Sequence, residues 1–151
     1  MGRRSDFEGQ QVEDALRRGV GYVERRQWQQ AINALNSCLQ ADPANLEARY
    51  NLALSQSGCG RANEALRVLE ETLMLPRLDD FNRVRLLKLV GQVAIQTGNY
   101  QLAADNLDAA FKITGVGGAP ILNQLGQVMC KAGDFERGFG LYFQALEHAS
   151  Q

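Results

Sequence analysis

Three prolines in 151 residues leave long stretches free to form helices, and the chain has few of the residues that most chemistry requires. His148 is the only histidine, and no Ser or Cys is arranged around it, so histidine-assisted nucleophilic catalysis has no partners. The three cysteines, Cys38, Cys59 and Cys130, are odd in number and lack metal-ligand spacing, which points to free thiols rather than a disulfide frame or a zinc site. Charge of one sign is also missing. Sixteen basic and 17 acidic residues give a net −1, without the basic surplus that neutralising many phosphates requires. No apolar run approaches a membrane span, and Met1-Gly2-Arg3-Arg4-Ser5-Asp6 has no hydrophobic stretch behind it. These features predict a chain with no metal or other cofactor, no bound nucleic acid and no membrane insertion, in the cytoplasm. Gly115-Val116-Gly117-Gly118 follows a helical pattern and has no closing lysine, so it is expected to be a mobile linker rather than a phosphate loop.

What is present is helix-forming residues in a repeated pattern. Ala, Leu, Gln, Glu and Arg dominate, and alternating β-branched runs are absent, so the expected class is all-α. Four segments share one layout, beginning at Arg26, Gly60, Gly98 and Gly133, with spacings of 34, 38 and 35 residues. Each opens on a turn residue or its substitute, continues through Trp28, Ala62, Tyr100 or Phe135, and places a small residue three positions later at Ala31, Ala65, Ala103 or Gly138. Four residues on come Leu35, Leu69, Leu107 and Tyr142. Then follow Cys38, Thr72, Ala110 and Ala145, each with a large apolar neighbour. Offsets of three and four draw one apolar stripe along each second helix. A period of this size marks stacked helix–turn–helix units. In this reading the small residue admits a close neighbour, the three aromatics are core, and Pro43 and Pro76 end the first two units. Ser5 and Glu8 have capping-box spacing, predicting a first helix from about Asp6 with Phe7 over the end of the stack.

On these residues the chain resembles the tetratricopeptide repeat family, with repeats at about 12–45, 46–79, 84–117 and 119–151. The resemblance implies a right-handed α-solenoid of antiparallel helix pairs forming one domain over 1–151. It also implies a non-enzymatic interaction module, adaptor or chaperone-like, that holds a partner protein's peptide or amphipathic helix in a concave groove lined by the first helices. Carried over position by position, the groove falls on Leu16, Val20, Val23, Tyr50, Asn51, Leu54, Arg85, Lys88, Leu89, Gln92, Asn123, Gln127 and Lys131. Relatives that grip acidic chaperone tails use a five-residue carboxylate clamp. The corresponding positions are Leu16, Val20, Asn51, Arg85 and Leu89, and only Asn51 and Arg85 match.

Three departures stand out. Arg18 occupies a position that is apolar in the other repeats, so either it points outward or its helix is rotated. Gly58-Cys59-Gly60 predicts a loose second turn, and Asp79 to Arg83 inserts residues that lengthen the third repeat's first helix. The last helix carries Phe139, Tyr142, Phe143 and Leu146, with Phe143 standing where the other copies have Asn36, Glu70 and Asp108. That substitution suggests an oligomer contact. A homodimer or self-assembling structural unit is therefore the alternative function, and a bacterial secretion chaperone is a narrower version of the partner-binding reading.

Overall fold

The computed structural model describes residues 2–150, and the described residues form an all-α chain. In order, the helices are α1 (Gly2–Glu24), α2 (Trp28–Ala41), α3 (Leu46–Gly58), α4 (Ala62–Leu73), α5 (Asp80–Gln96), α6 (Tyr100–Thr114), α7 (Ala119–Lys131) and α8 (Phe135–Ala149), with a 3₁₀ turn at Gly115–Gly118. Each repeat read from the sequence is one helix pair. The chain divides into two compact units, 1–76 and 77–151.

In unit 1, α1 pairs with α2 and α3 with α4, while α3 also packs on α2 and touches α1. Its core joins Ala15, Ala31, Ile32, Leu35, Cys38, Ala48 and Leu52, with Leu16 and Val23 packed against it. In unit 2, α5 pairs with α6 and α7 with α8, and α7 packs on α6. Leu86, Val90, Val93, Leu107, Ile121, Leu125 and Val128 are buried there.

The repeated positions have a direct physical explanation. The four turns within the helix pairs close with the same bond, in which an amide donates to the carbonyl five residues earlier: Gln27 to Tyr22 at 2.8 Å, Arg61 to Gln56 at 2.7 Å, Asn99 to Ala94 at 3.1 Å and Asp134 to Met129 at 2.9 Å. This is the glycine-type helix end, which satisfies carbonyls that have no partner within the helix. It requires a left-handed residue just before the donor. Gly60, Gly98 and Gly133 supply it at φ of 85°, 74° and 90°, and Arg26 supplies it at 58°. The second turn is therefore as closed as the others, contrary to the looseness its two glycines suggested. Where one helix of a pair crosses the other, small residues set the distance. A Cβ on Gly19 would come within 2.6 Å of Leu35, one on Gly91 within 2.8 Å of Leu107, and one on Gly126 within 3.0 Å of Tyr142. Leu35, Leu69 and Leu107 are fully buried, as their phase predicts.

Helix starts are capped where side chains allow. Asn45 accepts from the Ala48 amide at 3.0 Å, Asp79 from Asn82 at 2.8 Å, Asn99 from Leu102 at 3.1 Å and Asp134 from Arg137 at 3.3 Å. The Asp79 cap starts α5 four residues ahead of the repeat boundary, so the insertion lengthens that helix as expected.

Three expectations are corrected. α1 begins at Gly2, so Ser5 lies inside the helix instead of capping it. Phe7 is 64% exposed and covers nothing, because α1 projects past the end of α2 with no helix beside its first turns. The glycine-rich stretch is wound into a 3₁₀ turn, with Gly118 buried where a Cβ would meet the Phe111 ring at 2.5 Å. Arg18, in contrast, points outward as expected.

Candidate interaction surfaces

The groove positions fall into two groups, one in each unit. On α1, Leu16, Val20 and Val23 follow offsets of four and three and therefore share a face; on α3, Tyr50 and Leu54 do likewise. All five are half-buried. They form an apolar row that is packed from one side and reachable from the other. Asn51 differs. It is buried, and its amide donates to the Glu47 carbonyl at 2.7 Å, so it braces α3 from within.

In unit 2 the row is polar. Asn123, Gln127 and Lys131 are exposed at offsets of four along α7, and Gln92 is exposed on α5. Lys88 is half-buried, as is Arg85, whose guanidinium lies 5.9 Å from the Phe81 ring centroid and donates to Asn82 at 3.1 Å. Leu89 is a core residue at 3% exposure and offers a partner almost nothing. The first-helix positions thus supply apolar surface in one unit and amide and basic groups in the other.

The last helix forms a third surface. Phe135, Phe139, Phe143 and Leu146 are 58%, 55%, 68% and 64% exposed. At 3.6 residues per turn they lie within an arc of about 80°. They form one bare stripe. Tyr142 borders the stripe on the side towards α7, against Gly126, and Ala145 lies further round towards that helix, where Gly138 is so close that a Cβ would meet the Cys130 sulfur at 2.5 Å and the Gly126 carbonyl at 2.9 Å. Phe135 overturns the expectation that every repeat aromatic is core. Trp28, at the same position, lies against Gly58 of the following helix, and in the described chain no helix follows α8. Its exposure was missed because the pattern marks the aromatic but not the small residue that receives it.

The thiols differ in environment. Cys38 is fully buried, and desolvation, with a smaller contribution from Asp42, pushes its pKa above the ordinary thiol range. Cys59 is exposed and Cys130 lies between these extremes. His148 sits in the last turn of α8, edge-on to Phe111 at 5.7 Å between centroids.

This arrangement defines an α-helical repeat protein that presents side-chain rows on helix faces. A family model described as tetratricopeptide repeat matches residues 22–88. Superkiller protein 3 of Saccharomyces cerevisiae is 26% identical, and the match covers 90% of this chain but only 10% of that protein. Among solved structures, a MamA crystal structure aligns at a TM-score of 0.75 and 22% identity over 94% of this chain and 75% of its own. MamA 41-end from Desulfovibrio magneticus RS-1 aligns at 0.80 and 16% identity, covering 92% and 76%. Pseudomonas aeruginosa pilF aligns at 0.76 and 19%, covering 93% and 62%. Residues 22–88 thus carry the tetratricopeptide repeat pattern, and the solved structures share the fold of the chain. Among the described residues, no helix is long and apolar enough to cross a membrane.

Proposed function

We propose that this chain is a non-enzymatic adaptor that holds a segment of another polypeptide against the faces of its first-of-pair helices. The observation that carries the reading is the row of Leu16, Val20, Val23, Tyr50 and Leu54, half-buried on two touching helices of unit 1. Such a row covers its own core and still retains apolar area to bury, worth about 25 cal/mol per Å² when a partner removes it from water. Asn123, Gln127 and Lys131 supply polar and basic groups for the same role in unit 2. Four copies of one layout, spaced 34, 38 and 35 residues apart, support treating 1–151 as a single repeat domain. Three free thiols fit a reducing compartment, and we place the protein in the cytoplasm.

The test is partner recovery from the native cells with wild type and with Leu16→Glu/Tyr50→Glu, each shown to be folded by circular dichroism. Loss of a specific partner supports the reading, and unchanged recovery removes the first-helix faces from it. A homodimer through α8 is the competing reading raised by the bare aromatic stripe. Light scattering across concentration tests it, and a monomer at high concentration excludes it.

A further inference from the structure

Five side chains set the chemistry of the first-of-pair helices in unit 2. Lys88 and Gln92 of α5 hold the repeat positions of Asn123 and Gln127 of α7, and Lys131 follows four residues on. At one further shared position Gly91 lies against Leu107 of α6 and Gly126 against Tyr142 of α8. The two helices are therefore turned alike, and because both pack on α6 they present these rows on the same side. Gln92 is exposed on a pair that has pairs both before and after it in the chain, so an added pair leaves this face open. Among the described residues, neither Lys88 nor Lys131 is in an ion pair, and the side chains of Gln92, Asn123 and Gln127 make no hydrogen bond.

Unit 2 segregates its charge by helix. α5 and α7 carry four basic residues against one acidic, Asp80 in the first turn of α5, whereas α6 and α8 carry four acidic against two basic. Unit 1 has the opposite sign at matching positions, with Glu13 and Glu47 where α5 has Arg85, and Glu24 where α7 has Lys131. A face of basic and amide groups attracts carboxylates and turns away basic segments. It offers an amphipathic helix no apolar row like that of unit 1, and a helix has already spent its backbone groups internally. Side-chain amides both donate and accept, so they match the peptide groups of an extended chain. The spacing agrees. Offsets of four set Asn123, Gln127 and Lys131 about 6 Å apart along α7, and alternate residues of an extended chain lie about 6.6 Å apart.

We propose that the α5–α7 face of unit 2 binds an extended acidic segment of a separate polypeptide, with carboxylates four residues apart on Lys88 and Lys131 and the backbone between them on Gln92, Asn123 and Gln127. The repeat positions of the two lysines differ by eight residues, about 12 Å along a helix axis, and four extended residues span about 13 Å. The proposal rests on the adaptor reading and gives it a partner chemistry.

The site is not the five-residue carboxylate clamp, whose positions Leu16, Val20, Asn51, Arg85 and Leu89 include none of these residues. This chain does not supply the ligand itself: among the described residues, no segment outside the helices carries two acidic residues four apart. Two unpaired lysines are also too few for a nucleic acid, whose affinity grows with the number of phosphates neutralised.

The probe is the peptide Gly-Glu-Thr-Asn-Thr-Glu-Gly, titrated at low salt into the isotope-labelled full chain and followed by NMR shifts. We expect saturable shifts centred on Gln92, Asn123 and Gln127. Binding should weaken at least about tenfold when both probe glutamates are replaced by glutamine, and equally with Lys88→Glu/Lys131→Glu. Lys131→Glu alone, at an exposed site, should cost about threefold. A probe with lysines in place of its glutamates should prefer the doubly substituted chain, whose helicity circular dichroism verifies. Leu16→Glu/Tyr50→Glu should leave probe binding unchanged. The proposal is overturned by no shifts, by shifts centred on other residues, by binding indifferent to the probe's charge, or by tighter binding of a thymidine oligonucleotide. It is also overturned if this chain binds the probe but the protein extracted from its own cells does not, which would place the occupant in the same polypeptide. Should the probe fail while Leu16→Glu/Tyr50→Glu still loses a native partner, the acidic ligand falls alone. Should that variant keep every partner as well, the adaptor reading falls with it.

Discussion

α2 and α8 are built to the same plan, yet one is covered and the other is bare. Both carry a small residue for the helix they pair with, at Ala31 and Gly138, and both carry an apolar row turned away from that partner. In α2 the row is packed against α3, which helps remove Ile32 from water. In α8 the corresponding row is larger, more aromatic and open to solvent. A second helix of this repeat therefore has two apolar faces with separate tasks. The face towards its own pair makes the repeat, and the other face waits for the next helix. In α8, stability is expected to reside in the first.

The comparison is tested most severely by thiol chemistry. If the core of unit 1 is closed around α2, Cys38 should react with a thiol reagent on the order of a thousandfold more slowly than Cys59, since it must await local opening. Mass mapping after timed labelling reads both thiols, and equal rates would mean that the unit 1 core is open at Cys38. Next in size, Leu35→Ala should cost about 2–5 kcal/mol in urea unfolding, as cavity-forming core substitutions do. Gly138→Val should cost about 1–3 kcal/mol through overpacking against Cys130 and Gly126, locating α8's structural face by the same assay. A smaller gain is expected from Arg26→Gly. It relieves a left-handed residue that carries a side chain, and should raise stability by about 0.5–1 kcal/mol after glycine's own entropy cost. Smallest of all, Phe143→Ala should change unfolding free energy by no more than about 0.5 kcal/mol. A loss as large as that of Leu35→Ala would mean that the stripe is structural after all.

Much of this was legible in the residues because the repeat states each position four times. The close approach at Gly138 follows from the small residue that recurs at Ala31, Ala65 and Ala103. The buried series Leu35, Leu69 and Leu107 follows from phase alone. Less legible were the ends, where the repetition gives no second copy to compare. The overhang of α1 and the exposure of Phe7 and Phe135 depend on which neighbours exist, and a local pattern does not encode neighbours. Leu89 and Asn51 were assigned to a binding face by position, yet one is packed into the core and the other spends its amide on its own helix.

By itself the sequence determined the helix pairs, their turns and their inward stripes, since helix propensity, glycine conformation and apolar spacing act over a few residues at a time. Tertiary structure alone decided which apolar rows are sealed and which remain open. Burial is a property of what lies alongside, and Phe135 and Trp28 hold the same repeat position on either side of that distinction.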